Sequence, residues 1–596
     1  MGHPLMNSVH KFYIPVMGTG FTIDTPLKVA KYGISSVVSL VDDVLIEQMR
    51  QRLSRDRGLE FEEIPENAPD SRAHRITSYL NMMDEVVERQ VEKMRTSLFE
   101  TGSEISKYFE MLPDSPLRSL YQKMQTTPDP EERESLQDRL RGMIRPGGID
   151  VNIMTKLDRA KLSKGQDLGP KFSDAMSALR GYAQSRLQSS LILSAGMNRK
   201  LFGYLTEFGD FFPDETGEIR KRIVLKVSDF RSALIQGKLL ARQGLWVSEY
   251  RIESGLNCGG HAFGGKGTLL GPVLQDFRDQ RQHLRDQLHE IWVTGLNNLG
   301  RTAPGSPLGF RVTVQGGIGT AEESQMLVKD YGVDGTGWAS PFLLVPEVVN
   351  IDQSHLDRIV AAGEDDVHLS EASPLGVPFW CLKTSESEVQ RLHRIEEGKP
   401  GSACPKGFLV SNTEFTKVPI CTASRAYQRR KLQSLEGDDA QLQALTDQVT
   451  AKACICHDLA GSATVPHSID LDAKTAVCCG PNTVYFSRPA KLQEMVDHIY
   501  GRLQLPFKTE RPHMFLKELA LHLDGLKKEA ARRGLDLASC NCDTDKVRDN
   551  LLKGIQHYRD TASRLVSGSQ EAFTQRLENL KVELDKIAPC SVSSHS

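Results

Sequence analysis

The chain of 596 residues lacks a long hydrophobic run and lacks an excess of charge of either sign. No window approaches the roughly 18 consecutive apolar residues that a spanning helix needs, and the mean hydropathy is −0.36. Lys and Arg total 74 against 77 Asp and Glu, so no strong electrostatic field attracts a polyanion. These absences predict that the protein neither crosses a membrane nor binds nucleic acid.

The first twenty residues are poor in the features of an export signal, and the first 380 residues are poor in cysteine. The first twenty residues lack a basic stretch, an apolar core and a small-residue cleavage site, which predicts a cytoplasmic location. Cysteine is almost missing before position 381: Cys258 stands alone there, and the other ten of the eleven cysteines fall between Cys381 and Cys590. In a reducing compartment such a cluster favours a metal site or reactive thiols over a disulfide framework.

Short apolar or β-branched runs, each followed by a helical pattern, recur along the first 350 residues. This alternation is typical of repeated βα units. Eight parallel strands with intervening helices predict a closed (β/α)8 TIM barrel, although periodicity alone does not separate it from a doubly wound open sheet. The predicted strands are residues 13–17, 35–40, 149–155, 190–195, 222–227, 246–252, 310–315 and 333–338.

Four regions are predicted from these patterns. The barrel comprises residues 1–60 and 145–350, and residues 61–144 form a helical insertion because the gap there is too long for one crossover helix. Residues 351–500 are irregular and rich in Cys, Gly and Pro, which predicts an extension that builds the site. Residues 501–596 return to charged amphipathic helices that pack on the barrel or on a second copy in a homo-oligomer.

Two glycine-rich turns follow the last two predicted strands. The segment VQGGIGTAEES carries Gly316 and Gly317 into a helix, and YGVDGTGWASPF carries Gly335, Thr336 and Gly337. Backbone N–H groups beside glycine can approach a phosphate closely, and a helix N-terminus favours negative charge. Because phosphate usually binds after the last two strands of a barrel, we predict a phosphate site here, with simple tight turns as the alternative.

A third glycine-rich loop, ESGLNCGGHAFGGKG, follows the sixth predicted strand. Strand ends on this face of a barrel carry the reaction site. A histidine there faces the mouth, so we predict that His261 transfers a proton, against the alternative of a structural histidine. Cys258 is predicted as a second proton donor or as a wall of the pocket.

The order of these motifs resembles a known superfamily. The opening IPVMGTGFTIDTPLKVAKYGISSVVSL, the loop NCGGHAFGG and the pair QGGIGTAEE and GVDGTGWAS are similar to nitronate monooxygenases (2-nitropropane dioxygenase-like) and flavin-type enoyl reductases. The resemblance covers the barrel strands and implies a bound FMN whose phosphate lies in the paired glycine loops. The chain resembles a divergent member with a Cys-rich C-terminal extension.

The resemblance also implies roles for single residues. His261 aligns with the catalytic histidine of the superfamily, whereas Asn257 and Cys258 replace the acidic residue and the alanine that precede its Gly-Gly-His loop. This departure leaves the substrate and the reaction open. The residues that the resemblance places at the cofactor, the first three beside the flavin ring, are Met17, Gly18, Thr19, Asn152, Lys226, Gly260, Gly316, Gly317, Gly335, Thr336 and Gly337.

The extension carries cysteines in small turn-rich pieces, although no Cys-x2-Cys run is present. Thiolates gathered from such turns can hold a [4Fe–4S] cluster, which could pass single electrons to a flavin. Structural zinc with His457 and unligated buried thiols are the alternatives, and Cys540 with Cys542 is a weaker candidate thiol site. The predicted metal ligands are Cys404, Cys421, Cys454, Cys456, Cys478 and Cys479.

Together these features predict an FMN-dependent oxidoreductase that acts on a small or acyl-type substrate, with electrons relayed by an iron–sulfur cluster or a redox partner protein. One alternative is oxidation of a carbanion-like substrate, as in nitronate monooxygenases. Another, from a different class, is a non-catalytic flavin-fold scaffold that binds a protein partner through its helical additions.

Overall fold

The computed structural model describes residues 8–587 except 156–157, 164–165, 195, 264, 266, 535–543 and 566–569. The candidate pair Cys540 and Cys542, and also Cys590, lie outside the described residues. Within the described part, no helix combines the length and the apolar character that crossing a membrane requires.

Eight parallel strands close into a barrel, with the first strand paired to both the second and the eighth. Each strand hydrogen-bonds to its neighbours in the order 1-8-7-6-5-4-3-2, so the open-sheet alternative is excluded. The predicted TIM barrel is confirmed, and each predicted strand overlaps an observed one. The strands are Phe12–Ile14, Ser35–Ser39, Ile149–Met154, Ser190–Ser194, Arg222–Val227, Val247–Glu253, Arg311–Gln315 and Gly335–Gly337.

The alternation of side chains along the strands decides what faces the barrel axis. Ile223 and Leu225 belong to the main hydrophobic core outside the barrel, whereas Val224 packs with Val37 and Ile192 in a separate small cluster. Since side chains two residues apart share a face, Lys226 lies on the inner face, one step nearer the mouth. The same period places polar groups at the carboxyl ends of the strands.

Helices surround the barrel and build its additions. Ser71–Arg95, in the predicted insertion, packs on Asp43–Arg57 and Asp174–Gln184 and so joins the outer ring of the barrel. The helices are Thr25–Val29, Asp43–Arg57, Ser71–Arg95, Glu104–Met111, Pro116–Thr126, Pro130–Met143, Asp174–Gln184, Arg199–Leu205, Phe230–Arg242, Leu270–Asn298, Ala321–Asp330, Gln353–Ala361, Glu386–Glu396, Arg425–Gln433, Asp439–Thr450, Ile455–Asp458, Gly461–Thr464, Leu492–Ile499, Met514–Gly534, Thr544–Leu565 and Gln570–Asp585.

The Cys-rich extension folds back over the carboxyl ends of the barrel strands. Its antiparallel hairpin, Val367–Ser370 with Phe379–Leu382, reaches the loop after the sixth strand, where the Trp380 N–H donates to the Gly260 carbonyl at 3.0 Å. The Gly260 N–H in turn donates to the Cys478 carbonyl at 3.2 Å. The extension therefore forms the second wall of the mouth.

The C-terminal helices dock on the side of the barrel that carries the last strands. Phe515 stacks on Tyr558, with ring centroids 4.8 Å apart. Glu518 accepts hydrogen bonds from Ser254 Oγ at 2.6 Å and from the Leu270 N–H at 2.8 Å. These contacts place the start of Met514–Gly534 directly behind the loops of the sixth and seventh strands.

Candidate functional site

A deep cavity opens at the carboxyl ends of the barrel strands, beneath the extension. Its empty space is about 1620 Å³, counting the open mouth. His261 and Cys258 line it, together with Cys456, Cys478, Phe408 and Leu409 of the extension. The predicted cofactor residues that also line it are Met17, Gly18, Thr19, Asn152, Lys226, Gly260, Gly316, Gly317 and Gly337.

Two carbonyls of the loop after the seventh strand are engaged by donors of the protein. The Gln315 carbonyl accepts from the Ser254 N–H at 3.1 Å, and the Gly317 carbonyl accepts from the guanidinium of Arg511. In a trans peptide the N–H points opposite to the carbonyl, so the N–H groups of Gly316 and Ile318 point the other way. Neither N–H has an acceptor among the described residues, which leaves two donors for an anion.

Glycine is required at this turn for two reasons. Gly316 and Gly317 have φ of 100° and 83°, a left-handed region that favours glycine. A Cβ on Gly317 would also lie 2.2 Å from Asn257 Nδ2. Asn257 cannot readily move, because its Nδ2 donates to the Met514 carbonyl at 3.0 Å and its Oδ1 accepts from Asn482 at 3.1 Å.

The helix that follows this loop is capped by its own side chains. Thr320 Oγ1 accepts from the Glu323 N–H at 3.3 Å, and Glu323 Oε2 accepts from the Gly319 N–H at 2.9 Å. Arg511 lies 2.8 Å from Glu323 Oε1, and both side chains are only 4% exposed. Burial alone would raise the pKa of Glu323, but Arg511, together with His513 and the Gly319 N–H, outweighs it and lowers that pKa. The Gly319 and Glu323 N–H groups are therefore not available to an anion.

Only the last residue of the eighth strand lines the cavity, and the residues before it do not. Gly335 and Thr336 lie within the strand, outside the cavity lining, and Thr336 Oγ1 is engaged with Ser324 Oγ at 3.1 Å and Trp338 Nε1 at 3.2 Å. Gly337 lies at the cavity, and Ser340 beyond it accepts from the Gly480 N–H at 3.0 Å. The structure thus brings Gly337 to the site and leaves Gly335 and Thr336 away from it.

A chain of polar contacts forms the floor of the cavity. Lys226 Nζ lies 2.7 Å from Glu253 Oε2, whose other oxygen accepts from Gln315 Nε2 at 2.6 Å. Gln315 Oε1 accepts from the Tyr13 hydroxyl at 3.2 Å. These contacts fix the orientation of the Gln315 amide and place a cation at the strand ends. Thr19 Oγ1 is buried at the cavity without a partner among the described residues.

His261 is held at the cavity by the extension. Its Nε2 lies 2.8 Å from Ser373 Oγ, and its ring packs edge-on against Phe379 with centroids 4.9 Å apart. Ser373 Oγ also accepts from the Leu375 N–H at 3.2 Å. When the Ser373 hydroxyl donates to Nε2, the proton of a neutral ring is on Nδ1. Ser373 is a positioning residue that the sequence motifs did not indicate.

Cys258 lines the same cavity but is buried. Burial, with a smaller effect of Glu253, raises the pKa of its thiol well above the ordinary range. The side chain is therefore a neutral thiol at neutral pH, which suits a wall of the pocket better than a nucleophile. Of the two roles predicted for Cys258, the geometry favours the wall.

The six cysteines predicted to bind a metal fall into two sets. Cys454 and Cys456 lie near enough to Cys404 to influence one another's pKa, whereas Cys479 has that relation with Cys478 and Cys381. In the part of the chain that is described, no group of three or more His, Cys, Asp or Glu side chains is arranged to hold a metal ion. The predicted set of six therefore does not form one metal site.

The zinc alternative with His457 finds no support either. His457 Nε2 lies 2.8 Å from Asp470 Oδ2 and its Nδ1 faces Asp458, so both ring nitrogens face carboxylates. Hydrogen bonding to Asp458, followed by that to Asp470, raises the pKa of His457. The third interpretation of the cysteines, free thiols, agrees with the eight described cysteines, none of which forms a disulfide among those residues.

No protein-family model and no curated protein matches the chain. Solved structures that it resembles include FabK from Thermotoga maritima, with 14% identity, a TM-score of 0.31, and coverage of 68% of this chain and 86% of that one. The enoyl reductase domain of MlnA from Bacillus amyloliquefaciens matches at 14% identity and a TM-score of 0.32, covering 70% of this chain and 94% of its own.

A nitroalkane oxidase from Streptomyces ansochromogenes matches at 11% identity and a TM-score of 0.33, covering 83% of this chain and 94% of that one. Of the three, one is described as an enoyl reductase domain and one as a nitroalkane oxidase. At such TM-scores the likeness adds no weight to the fold assignment. That assignment rests on the closed eight-stranded sheet itself.

Proposed function

We propose that the chain is an FMN-dependent oxidoreductase acting on a small or acyl-type substrate. The observation that carries the proposal is the loop after the seventh strand, where the N–H groups of Gly316 and Ile318 point away from Ser254 and Arg511 and have no described acceptor. Successive backbone donors of this kind form an anion site, and this end of a barrel is the usual position for a phosphate.

The cavity also fits the remainder of the cofactor. The orphan hydroxyl of Thr19 offers a hydrogen-bonding group beside Met17 and Gly18. Lys226 offers a cation at the opposite strand ends, held in place by Glu253. A flavin bound there would supply hydride or electron transfer, and the protein would supply orientation and proton traffic.

The residues around the cavity support specific tasks. His261 would hold or move a proton at Nδ1, because Ser373 engages Nε2 and fixes the ring. Phe408, Leu409 and Leu459 of the extension give the opposite wall an apolar surface that excludes water. An apolar wall facing a proton donor suits an acyl chain with a reactive group near the histidine, and this supports reduction of an activated acyl-type substrate.

A binding experiment tests the cofactor assignment. The visible spectrum of the purified chain and a titration with FMN, followed by quenching of flavin fluorescence, should show binding. Gly317→Ala should weaken it at least about tenfold, which is about 1.4 kcal/mol, because the new Cβ would collide with Asn257. Gly332→Ala is the matched control, since Gly332 is also left-handed at φ 66° but lies outside the cavity lining.

The two glycine variants and the FMN titration decide the cofactor assignment. Retained affinity in Gly332→Ala with lost affinity in Gly317→Ala supports the phosphate loop. A colourless protein that takes up no FMN would overturn the proposal. Replacement of His261 by Ala tests the proton role separately, because FMN should still bind while reduction of the flavin by the substrate or its reoxidation slows.

A further inference from the structure

Two cysteine side chains lie next to each other close to the cavity and take no part in the proposed function. The backbone segments that carry Cys404 and Cys421 are joined, because the Ser402 N–H donates to the Ala423 carbonyl at 3.0 Å and Ser402 pairs with Ser424. The two thiols are hydrogen-bonding neighbours, and both cysteines are free. Cys456, which lines the cavity, is near enough to both to influence their charge. The pair therefore lies beside the wall that the extension places over the barrel mouth.

The backbone holds the two sulfur atoms in this position. The Ala423 N–H lies 3.4 Å from Cys421 Sγ and donates to it, and the Gly407 N–H bonds to the sulfur of Cys404. Cys404 has a φ of 57°, in the left-handed region that residues other than glycine rarely adopt. Such a conformation persists only where surrounding contacts enforce it, so the position of Cys404 is imposed by the fold.

Access differs between the two thiols. Cys421 is 4% exposed, whereas Cys404 is half-buried and reaches solvent. Attack by a small oxidant therefore falls first on Cys404, and the buried partner is placed to resolve the product. Cys381 provides a contrast, since it is also buried but its sulfur is engaged with Ser370 Oγ at 3.1 Å.

We propose that Cys404 and Cys421 form a redox-active dithiol which a small hydroperoxide oxidises to an intramolecular disulfide. In the first step the Cys404 sulfur attacks the peroxide, the O–O bond breaks, and Cys404 becomes a sulfenic acid while one water or alcohol leaves. In the second step the Cys421 sulfur attacks that sulfenic sulfur, the S–S bond forms and a water leaves. The two thiols lose two electrons, and the peroxide gains them.

The stretch between Cys404 and Cys421 carries two residues of the cavity wall and is bonded to the barrel. Phe408 and Leu409 of the cavity wall lie between Cys404 and Cys421 in sequence. Arg159 donates to the Gly407 carbonyl at 3.1 Å and lies over the Phe408 ring, which ties this stretch to the barrel. A disulfide would close the loop that contains both wall residues.

Peptide mapping of the full chain tests the proposal without reference to the cofactor. The protein is reduced, freed of reductant, treated with hydrogen peroxide, quenched with an alkylating reagent and digested. We expect a peptide that links Cys404 to Cys421, formed at least about tenfold faster than Cys381 is modified. In Cys421→Ser, Cys404 should accumulate as a sulfenic acid that dimedone traps, and in Cys404→Ser the buried Cys421 should remain alkylatable only after unfolding.

Cys381→Ser is the matched control and should give the wild-type link. Mapping of the wild-type chain alone decides the matter if a variant fails to fold. The proposal is overturned if Cys404 stays reduced, if the link joins other cysteines, or if stoichiometric zinc or iron is found and shields both thiols from peroxide.

Discussion

Gly316 and Gly317 follow the seventh strand in left-handed backbone, whereas Gly335 and Gly337 lie inside the eighth strand in extended backbone. At the first pair, the N–H groups of Gly316 and Ile318 have no acceptor among the described residues. The second pair makes room: a Cβ on Gly337 would lie 2.8 Å from Gln315 Cβ and from the Tyr13 hydroxyl. The two glycine pairs thus differ, since the first leaves backbone donors unbonded and the second permits close strand packing.

The two glycine pairs also differ in which residues hold their backbone in place. The seventh-strand loop is fastened by Arg511 and, through Ser254, by Glu518, both on the C-terminal side of the chain. The eighth strand is fastened by its own neighbours, such as Ser324 and Trp338 around Thr336. Substitutions behind the first loop should therefore affect both stability and cofactor binding, and those in the eighth strand should affect mainly stability.

The largest effect is expected from Arg511→Met. It leaves the Glu323 carboxylate buried without its cation, which should cost about 3–5 kcal/mol of unfolding free energy. It also releases the Gly317 carbonyl, so FMN affinity should fall. Denaturant unfolding and FMN titration measure the two effects. Adding Glu323→Gln should recover part of the stability without the affinity, and recovery of both would contradict the assigned role of Arg511.

Glu518→Gln should change how stability depends on pH. Burial raises the pKa of Glu518 to about 7. The folded state therefore holds a proton that the unfolded state has released, and wild-type stability should fall as pH rises from about 4.5 to 7. Glutamine removes this slope and should be more stable above pH 7 by up to about 3 kcal/mol. Melting curves across that range test it, and an unchanged slope would speak against it.

Gly337 lies at the cavity, but Gly337→Ala should destabilise the barrel more than it weakens cofactor binding, because the new Cβ would meet Gln315 and Tyr13. The added methyl group has no space between Gln315 and the Tyr13 ring, and overpacking of this kind costs about 1–3 kcal/mol. Chemical denaturation measures the loss. FMN affinity of the folded protein should stay within about threefold of wild type, which is less than 1 kcal/mol. A tenfold loss of affinity at unchanged stability would reverse the comparison between the two glycine pairs.

Thr336→Val should have the smallest effect. It removes the hydroxyl that bonds to Ser324 and Trp338, at a cost of about 1 kcal/mol. The shape of the side chain is kept, and the residue lies outside the cavity lining. Equal FMN affinity for wild type and variant, measured by the same titration, would separate Thr336 from the phosphate site. A clear drop in FMN affinity would instead place Thr336 at the phosphate site.

Much of the barrel was predictable because its strands are short apolar runs at regular spacing. Lys226 and Asn152 were also placed at the mouth correctly, since strand ends define that face of the barrel. Gly335 and Thr336 were expected at the cofactor, but pairing on both sides draws them into the eighth strand. A motif gives the order of residues and not the point where a strand stops.

Other parts of the site had no local signal. Arg511 lies 188 residues after Glu323 in the sequence, in a segment predicted only as amphipathic helix. Ser373 lies 112 residues after His261 in an irregular extension. The cysteines posed the same problem, because spacing shows neither that Cys404 meets Cys421 nor that Cys478 and Cys479 lie elsewhere. Pairings over such separations are set by tertiary packing.

The tie between Arg511 and the Gly317 carbonyl bears on how the protein is made. A ribosome releases the whole barrel well before residue 511 emerges, so a nascent chain has all eight strands but not the side chain that turns the seventh-strand loop. If FMN binds as proposed, its loading would wait until the C-terminal helices dock and Arg511 reaches the Gly317 carbonyl. Pulse-labelled chains stalled before and after residue 511 would differ in their retention on an FMN matrix.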